Sequence, residues 1–237
     1  MALKNNNNLT GLVKKITRLF PIMLLPLALF TACSESSNDV VEFPDWQNNN
    51  LKQWNSIYAQ ANERIAAGDQ TWKVFKTWNI EDTLHSENTS YIVVHVNTNG
   101  EGVGSPLYTD SVLVHYKGKL LPSTSYSEGY QFDSSWGSAT TTTTAAPMKM
   151  LVSSLTDGFA TALQHMNIGD DWDVYVPWTL AYGETVHNGI PAYSILIFNI
   201  QLVNYVGAGH SLPAVKAKAI ISKSTLFTIG ELAFSKK

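Results

Sequence analysis

Cysteine occurs once in these 237 residues, at Cys33, so no internal disulfide can form. Charge is scarce and nearly balanced. Sixteen Lys and Arg against 19 Asp and Glu leave a formal −3, so no nucleic-acid partner is expected. Long apolar runs are also missing. Residues 19–30 are apolar but carry Pro21 and Pro26, and a spanning helix needs about 20 residues. The six histidines (His85, His95, His115, His165, His187 and His210) include no pair at metal-ligand spacing. A Gly-x-Ser-x-Gly elbow, a phosphate loop and a dinucleotide fingerprint are all absent. These gaps remove the usual hydrolase, nucleotide and metal chemistries, and neither metal nor cofactor is expected.

What is present begins with an export signal. Lys4, Lys14, Lys15 and Arg18 precede the apolar run, and residues 1–32 hold no acid. The run ends in Leu29-Phe30-Thr31-Ala32-Cys33, which resembles the lipobox of bacterial lipoproteins, with Phe30 where leucine is usual. The resemblance implies cleavage before Cys33, lipidation of its thiol and loss of four positive charges, which takes the formal charge from −3 to −7. The tract at 34–39 is similar to the acidic tract of surface-exported lipoproteins in Bacteroides-like bacteria. It reads equally as a plain polar tether. A lipid-anchored protein of the cell envelope, at the outer membrane, is the expectation.

The segments then divide the chain. Residues 1–32 are the signal and 33–44 a tether. Residues 45–85 form a helical extension, in which Leu51, Trp54, Ile57, Tyr58, Ala61 and Ile65 recur at helical spacing between an Asp45 cap and a Gly68 stop. Strands are expected at 91–96, 110–116, 173–177 and 194–203, with a helix at 157–166. Asn99-Gly100 reads as a turn. The Thr-rich stretch 140–144 reads as an exposed loop. Residues 207–237 form a tail with five lysines and one glutamate. The fold class is α+β: an antiparallel sheet curled around a short helix, preceded by an amphipathic helix. His115, between Val114 and Tyr116, faces away from their side of the strand and reads as a surface or satisfied structural histidine.

Aromatics dominate the remaining polar chemistry. Val112-Leu113-Val114-His115-Tyr116-Lys117-Gly118 is followed by Phe132-Asp133-Ser134-Ser135, Gly158-Phe159, Ala162-Leu163, Val176-Pro177, Leu180-Ala181-Tyr182-Gly183 and Leu196-Ile197-Phe198. In order and spacing this series resembles the FKBP-type peptidyl-prolyl isomerases over about half of the chain. The resemblance places a domain at 86–206 and implies Tyr116, Phe132, Asp133 and Tyr182 as catalytic residues. It also implies a substrate pocket of Met150, Leu155, Thr156, Phe159, Ile190 and Phe198, with Phe159 standing where the family has a tryptophan floor. Tyr182's hydroxyl and the Thr156 N–H would donate to substrate carbonyls.

The implied activity is isomerisation of X-Pro bonds in exported, proline-containing polypeptides, with weak binding of the family's macrolide inhibitors. The smaller floor at Phe159, Met150 in place of a wall phenylalanine and the polar Thr156 motivate an alternative, a binding module for proline-containing peptides with weak catalysis. A third reading is an accessory lipoprotein that works through its helix and tail.

Overall fold

A computed structural model describes residues 40–212, apart from 82, 85, 138–141 and 143. The signal, Cys33, most of the tether, part of the Thr-rich loop and the tail from 213 lie outside the described residues. Among the described residues no helix is long and apolar enough to cross a membrane.

Seven strands form one antiparallel sheet. They are β1 (Trp72–Lys76), β2 (Tyr91–Thr98), β3 (Ser111–Lys119), β4 (Gln131–Ser134), β5 (Met148–Leu151), β6 (Asp171–Val176) and β7 (Leu196–Val206). The order is β1-β2-β6-β7-β3-β4, with β5 also paired to β3. β7 takes one side of β3 along its whole length, so β5 and β4 share the other, against Ser111–Val114 and Lys117–Lys119. Helix α1 spans Trp46–Ala66 and helix α2 spans Asp157–His165.

Both faces of β2 are covered, which explains its unbroken apolar run. Ile92, Val94 and Val96 join Trp172, Val174 and α2's Phe159 and Leu163 in the larger core. Val93 points the other way, to Trp54 and Ala61 of α1, with Tyr175 and Ile197 packed beside it. The chain therefore builds helix, sheet, helix, rather than a sheet with one covered face.

The apolar stripe of α1 is only partly buried. Trp54 and Ala61 are sealed, whereas Leu51 and Ile65 are exposed. A polar residue does part of the docking. Asn50 is fully buried; its amide donates to Trp46 O (2.8 Å) and its carbonyl oxygen accepts the Ile195 N–H (2.8 Å). Trp46 Nε1 donates to Ser194 Oγ at 2.8 Å. Asp45 sits at the helix start in a left-handed conformation, but its carboxylate takes the Asn48 side-chain amide (2.7 Å) rather than a main-chain N–H. The helix stops at Gly68 as expected. With φ +87, Gly68 lets its own N–H reach Ile65 O and Asp69 N–H reach Arg64 O.

β1 lies inside the segment expected to be a helical extension and pairs with β2 over Trp72–Lys76. The sheet thus begins before residue 86. Gly100 makes a close approach rather than a hairpin: its N–H donates to Asp170 Oδ1 (2.6 Å), and a Cβ there would lie 2.2 Å from Ile168 O. Buried Asp170 also accepts the Asn167 N–H at 2.7 Å, which fixes the turn before β6.

Candidate functional site

β3 and β4 deliver the first half of the site. The stretch of β3 between its β5 and β4 partners is closed by Ser135. Its hydroxyl accepts the Tyr116 N–H (2.9 Å), and its own N–H donates to Tyr116 O (3.0 Å). This holds Tyr116 with its ring in the core and its hydroxyl toward β4, where it donates to Asp133 Oδ2 at 2.6 Å. Asp133 Oδ1 also accepts the Ser134 N–H at 2.8 Å. Opposite Asp133, Gly118 has no side chain for a physical reason. A Cβ there would lie 2.5 Å from the Phe132 ring and 2.8 Å from that of Phe198.

The second half comes from the turn into α2. A short 3₁₀ turn, Val152–Ser154, leads to Leu155 and Thr156, the residue before the helix. α2 lies close on β6 because Gly158 is a glycine; a Cβ would fall 2.2 Å from Val176 Cγ1. That brings Phe159 beneath Tyr116 and Phe198. The three phenylalanines and Tyr116 meet edge to face. Tyr116–Phe159 centroids are 5.9 Å apart, Phe159–Phe198 5.0 Å and Phe132–Phe198 5.7 Å.

These residues enclose a cleft of about 340 Å³. Tyr116, Phe132, Asp133, Met150, Leu155, Thr156, Phe159, Tyr182 and Phe198 all line it, so nine of the ten residues expected from the sequence converge. Ile190 does not. It belongs to the loop that follows Tyr182 but is buried in the main core. His187 from that loop lines the cleft instead, stacked on Tyr182 with centroids 4.0 Å apart and planes 13° apart. Ser154 also lines it. Both were passed over in the sequence, where residues of a turn or loop carry no period to mark which way they face. Cys33 lies outside the described residues.

Electrostatics favour neutral donors. Burial, then the hydrogen bond to and the charge of Asp133, push the Tyr116 phenol well above its usual range. Burial and the Asp133 charge also raise the Tyr182 phenol. Both hydroxyls therefore stay protonated at physiological pH. Among the described residues, the Tyr182 hydroxyl and the Thr156 N–H make no hydrogen bond, so both are free to donate to a ligand. No group of three or more His, Cys, Asp or Glu that could hold a metal occurs among the described residues.

His115 faces away from the cleft, on the side opposite Tyr116. It is not on the surface, being 6% exposed, and its Nδ1 has no partner among the described residues. Burial lowers its pKa.

Residues 104–203 match the family described as FKBP-type peptidyl-prolyl cis-trans isomerase. The chain is 34% identical over 126 residues to a macrophage infectivity potentiator of Trypanosoma cruzi, covering 53% of this chain and 58% of that one. It is 36% identical over 105 residues to the FKBP-type 22 kDa peptidyl-prolyl cis-trans isomerase of Escherichia coli, covering 44% and 45%. It thus spans about half the length of these curated relatives. A crystal structure of a peptidyl-prolyl cis-trans isomerase from Pseudomonas syringae aligns with 67% of this chain and 95% of its own, at 24% identity and a TM-score of 0.45. The likeness to the FKBP-type peptidyl-prolyl cis-trans isomerases is thus carried by residues 104–203, the part of the chain that holds the cleft.

Proposed function

We propose that the cleft is the active site of a peptidyl-prolyl cis-trans isomerase that acts on X-Pro bonds of exported polypeptides. One observation carries this reading. Two donors with no internal acceptor, the Tyr182 hydroxyl and the Thr156 N–H, line a cleft walled by phenylalanine rings. An X-Pro amide rotates over a barrier of about 18–20 kcal/mol because twisting breaks its resonance. The planar amide is the more charge-separated form, so an apolar, water-poor seat favours the twisted form relative to it. Phe132, Phe159 and Phe198 supply that seat for the prolyl ring. Thr156 N–H and Tyr182 hold the flanking carbonyls, and the Tyr116–Asp133 pair offers a polar contact at the turning carbonyl. The rotation itself needs no bond to the enzyme.

The test is isomerisation of a Leu-Pro tetrapeptide by the purified protein, followed by NMR exchange. Exchange well above the thermal rate is expected, reduced in Tyr182→Phe. Thermal exchange alone would overturn the reading, and tight peptide binding without exchange would leave a binding module. Phe159 is a smaller floor than tryptophan, so macrolide inhibitors of the family should bind weakly.

The residues around Cys33 support a place in the cell envelope. We read this thiol as acylated and the protein as held at the outer membrane. Labelled palmitate should enter the protein in cells and fail to enter Cys33→Ser. Equal labelling of both would remove the anchor.

A further inference from the structure

We propose that the free edge of β5 is a second part of the client site, and that it pairs strand to strand with an extended segment flanking the proline in the cleft. This rests on the cleft holding a prolyl peptide, as above. β5 pairs only with β3 among the described residues, so its other edge is open. The ladder shows which groups that edge presents. Val152 N–H donates to Asp110 O at 3.0 Å. In an antiparallel pair the bonded positions alternate, so Met148 and Met150 turn their main-chain groups inward to β3. Lys149 and Leu151 turn theirs outward. Of these four outward groups only the Leu151 carbonyl is taken, by Ser154 Oγ at 2.7 Å. The Lys149 N–H, the Lys149 carbonyl and the Leu151 N–H bond to nothing among the described residues.

The side chains make this edge unusual. Sheets guard open edges with charge, proline or bulges. Here Lys149 is the single charge, while Met148 is 41% exposed and Leu151 44%. Beyond the strand, Leu107 is 67% exposed in the turn that ends at Asp110.

The edge is continuous with the cleft, which selects the occupant. Met150 is both a β5 residue and a wall of the cleft, and Met148 Sδ lies 3.9 Å from the Tyr116 hydroxyl. A strand added to β5 would run about 4.8 Å from it. Alternate side chains of that strand would fall beside Met148 and Met150, whose flexible thioethers adapt to many apolar shapes. The fitting client is an unfolded segment in which proline is followed or preceded by β-forming apolar residues. Main-chain pairing gives affinity without sequence demands.

The experiment compares three peptides on the whole protein. One is a short Leu-Pro core. The second adds six β-branched residues without proline, on either side. The third carries N-methyl groups on alternate amides of that extension, made in both registers. Dissociation constants come from fluorescence anisotropy and turnover from NMR exchange. The extension should tighten binding about tenfold, the scale of one or two net hydrogen bonds. One N-methyl register should abolish the gain. Leu151→Pro, which removes an outward N–H at an extended position (φ −93, ψ 126), should lose the gain while still turning over the core.

No gain from the extension, a gain that survives both N-methyl registers, or an undiminished gain in Leu151→Pro would overturn the proposal. So would a β5-paired dimer, seen by sedimentation as a wild-type dimer that Leu151→Pro dissolves. A core peptide that is not turned over, beside an extension that still binds with N-methyl sensitivity, would sink the isomerase reading and leave the edge standing.

Discussion

At the residue scale, Asp133 can matter as a charge or as an acceptor, and two substitutions separate these. Asp133→Asn keeps an oxygen for the Tyr116 hydroxyl and loses the charge, whereas Asp133→Ala loses both. A hydrogen bond to a charged group contributes about 1.5–3 kcal/mol. The alanine variant should therefore lose about tenfold or more in kcat/KM, and the asparagine variant clearly less. Equal losses would show that the charge, not the orientation of Tyr116, is what matters.

His115 supports a second expectation. Its folded-state pKa is lowered by burial, so the unfolded chain binds the proton more readily. The resulting stability is present above the unfolded value of about 6.5 and is lost as pH falls below it. Urea midpoints should fall from pH 7 to pH 5, and His115→Leu should flatten that slope. The same slope in both proteins would discharge His115.

The cleft residues were readable through the family resemblance, carried by short motifs such as Phe132-Asp133 and Leu180-Ala181-Tyr182-Gly183; the structure adds a backbone reason for one motif residue, Gly118 beside Phe132 and Phe198. Ile190 and His187 exchanged places because a loop carries no period. Which of its residues turns inward depends on the His187–Ile190 bridge, not on composition.

At the element scale, the long apolar strands were legible and the short ones were not. β2 carries the β-branched run Ile92-Val93-Val94, and β7 spaces Ile197, Ile200, Val203 and Val206 along its length. β5 reads Met-Lys-Met-Leu and β4 Gln-Phe-Asp-Ser, with no β-branched residue in either. Their pairing with β3 supplies what local preference lacks. The stripe of α1 was legible as a period, but its anchoring through Asn50 was hidden, because a buried amide has no apolar signature. Asn50→Ala would leave the Ile195 N–H buried without its acceptor. An orphaned buried donor costs about 1–3 kcal/mol. Chemical unfolding should show a loss in that range, with cleft turnover per folded molecule unchanged. A neutral effect would mean that water or a shifted helix replaces the amide.

At the scale of the whole molecule, the second helix layer changes what counts as the folding unit. Motif matching begins the domain near residue 86 or 104, because the family signature lies in the cleft and the strands around it. Packing places the beginning earlier. α1 and β1 cover Val93, Tyr175, Ile195 and Ile197, the outer face of the sheet's middle. Removing everything before residue 86 would bare that face and also remove Trp54, a fully buried side chain. Truncating one buried tryptophan alone costs about 3–5 kcal/mol, and a small domain has only about 5–15 kcal/mol in total. Residues 40–212 should therefore melt in one cooperative transition followed by circular dichroism. Residues 86–206 should melt far lower, or precipitate through the uncovered apolar face. Matching melting temperatures for the two would show that α1 is an accessory lying on a self-sufficient domain. A large gap would make the helix an integral layer, and the cleft chemistry would then depend on a segment that never touches it.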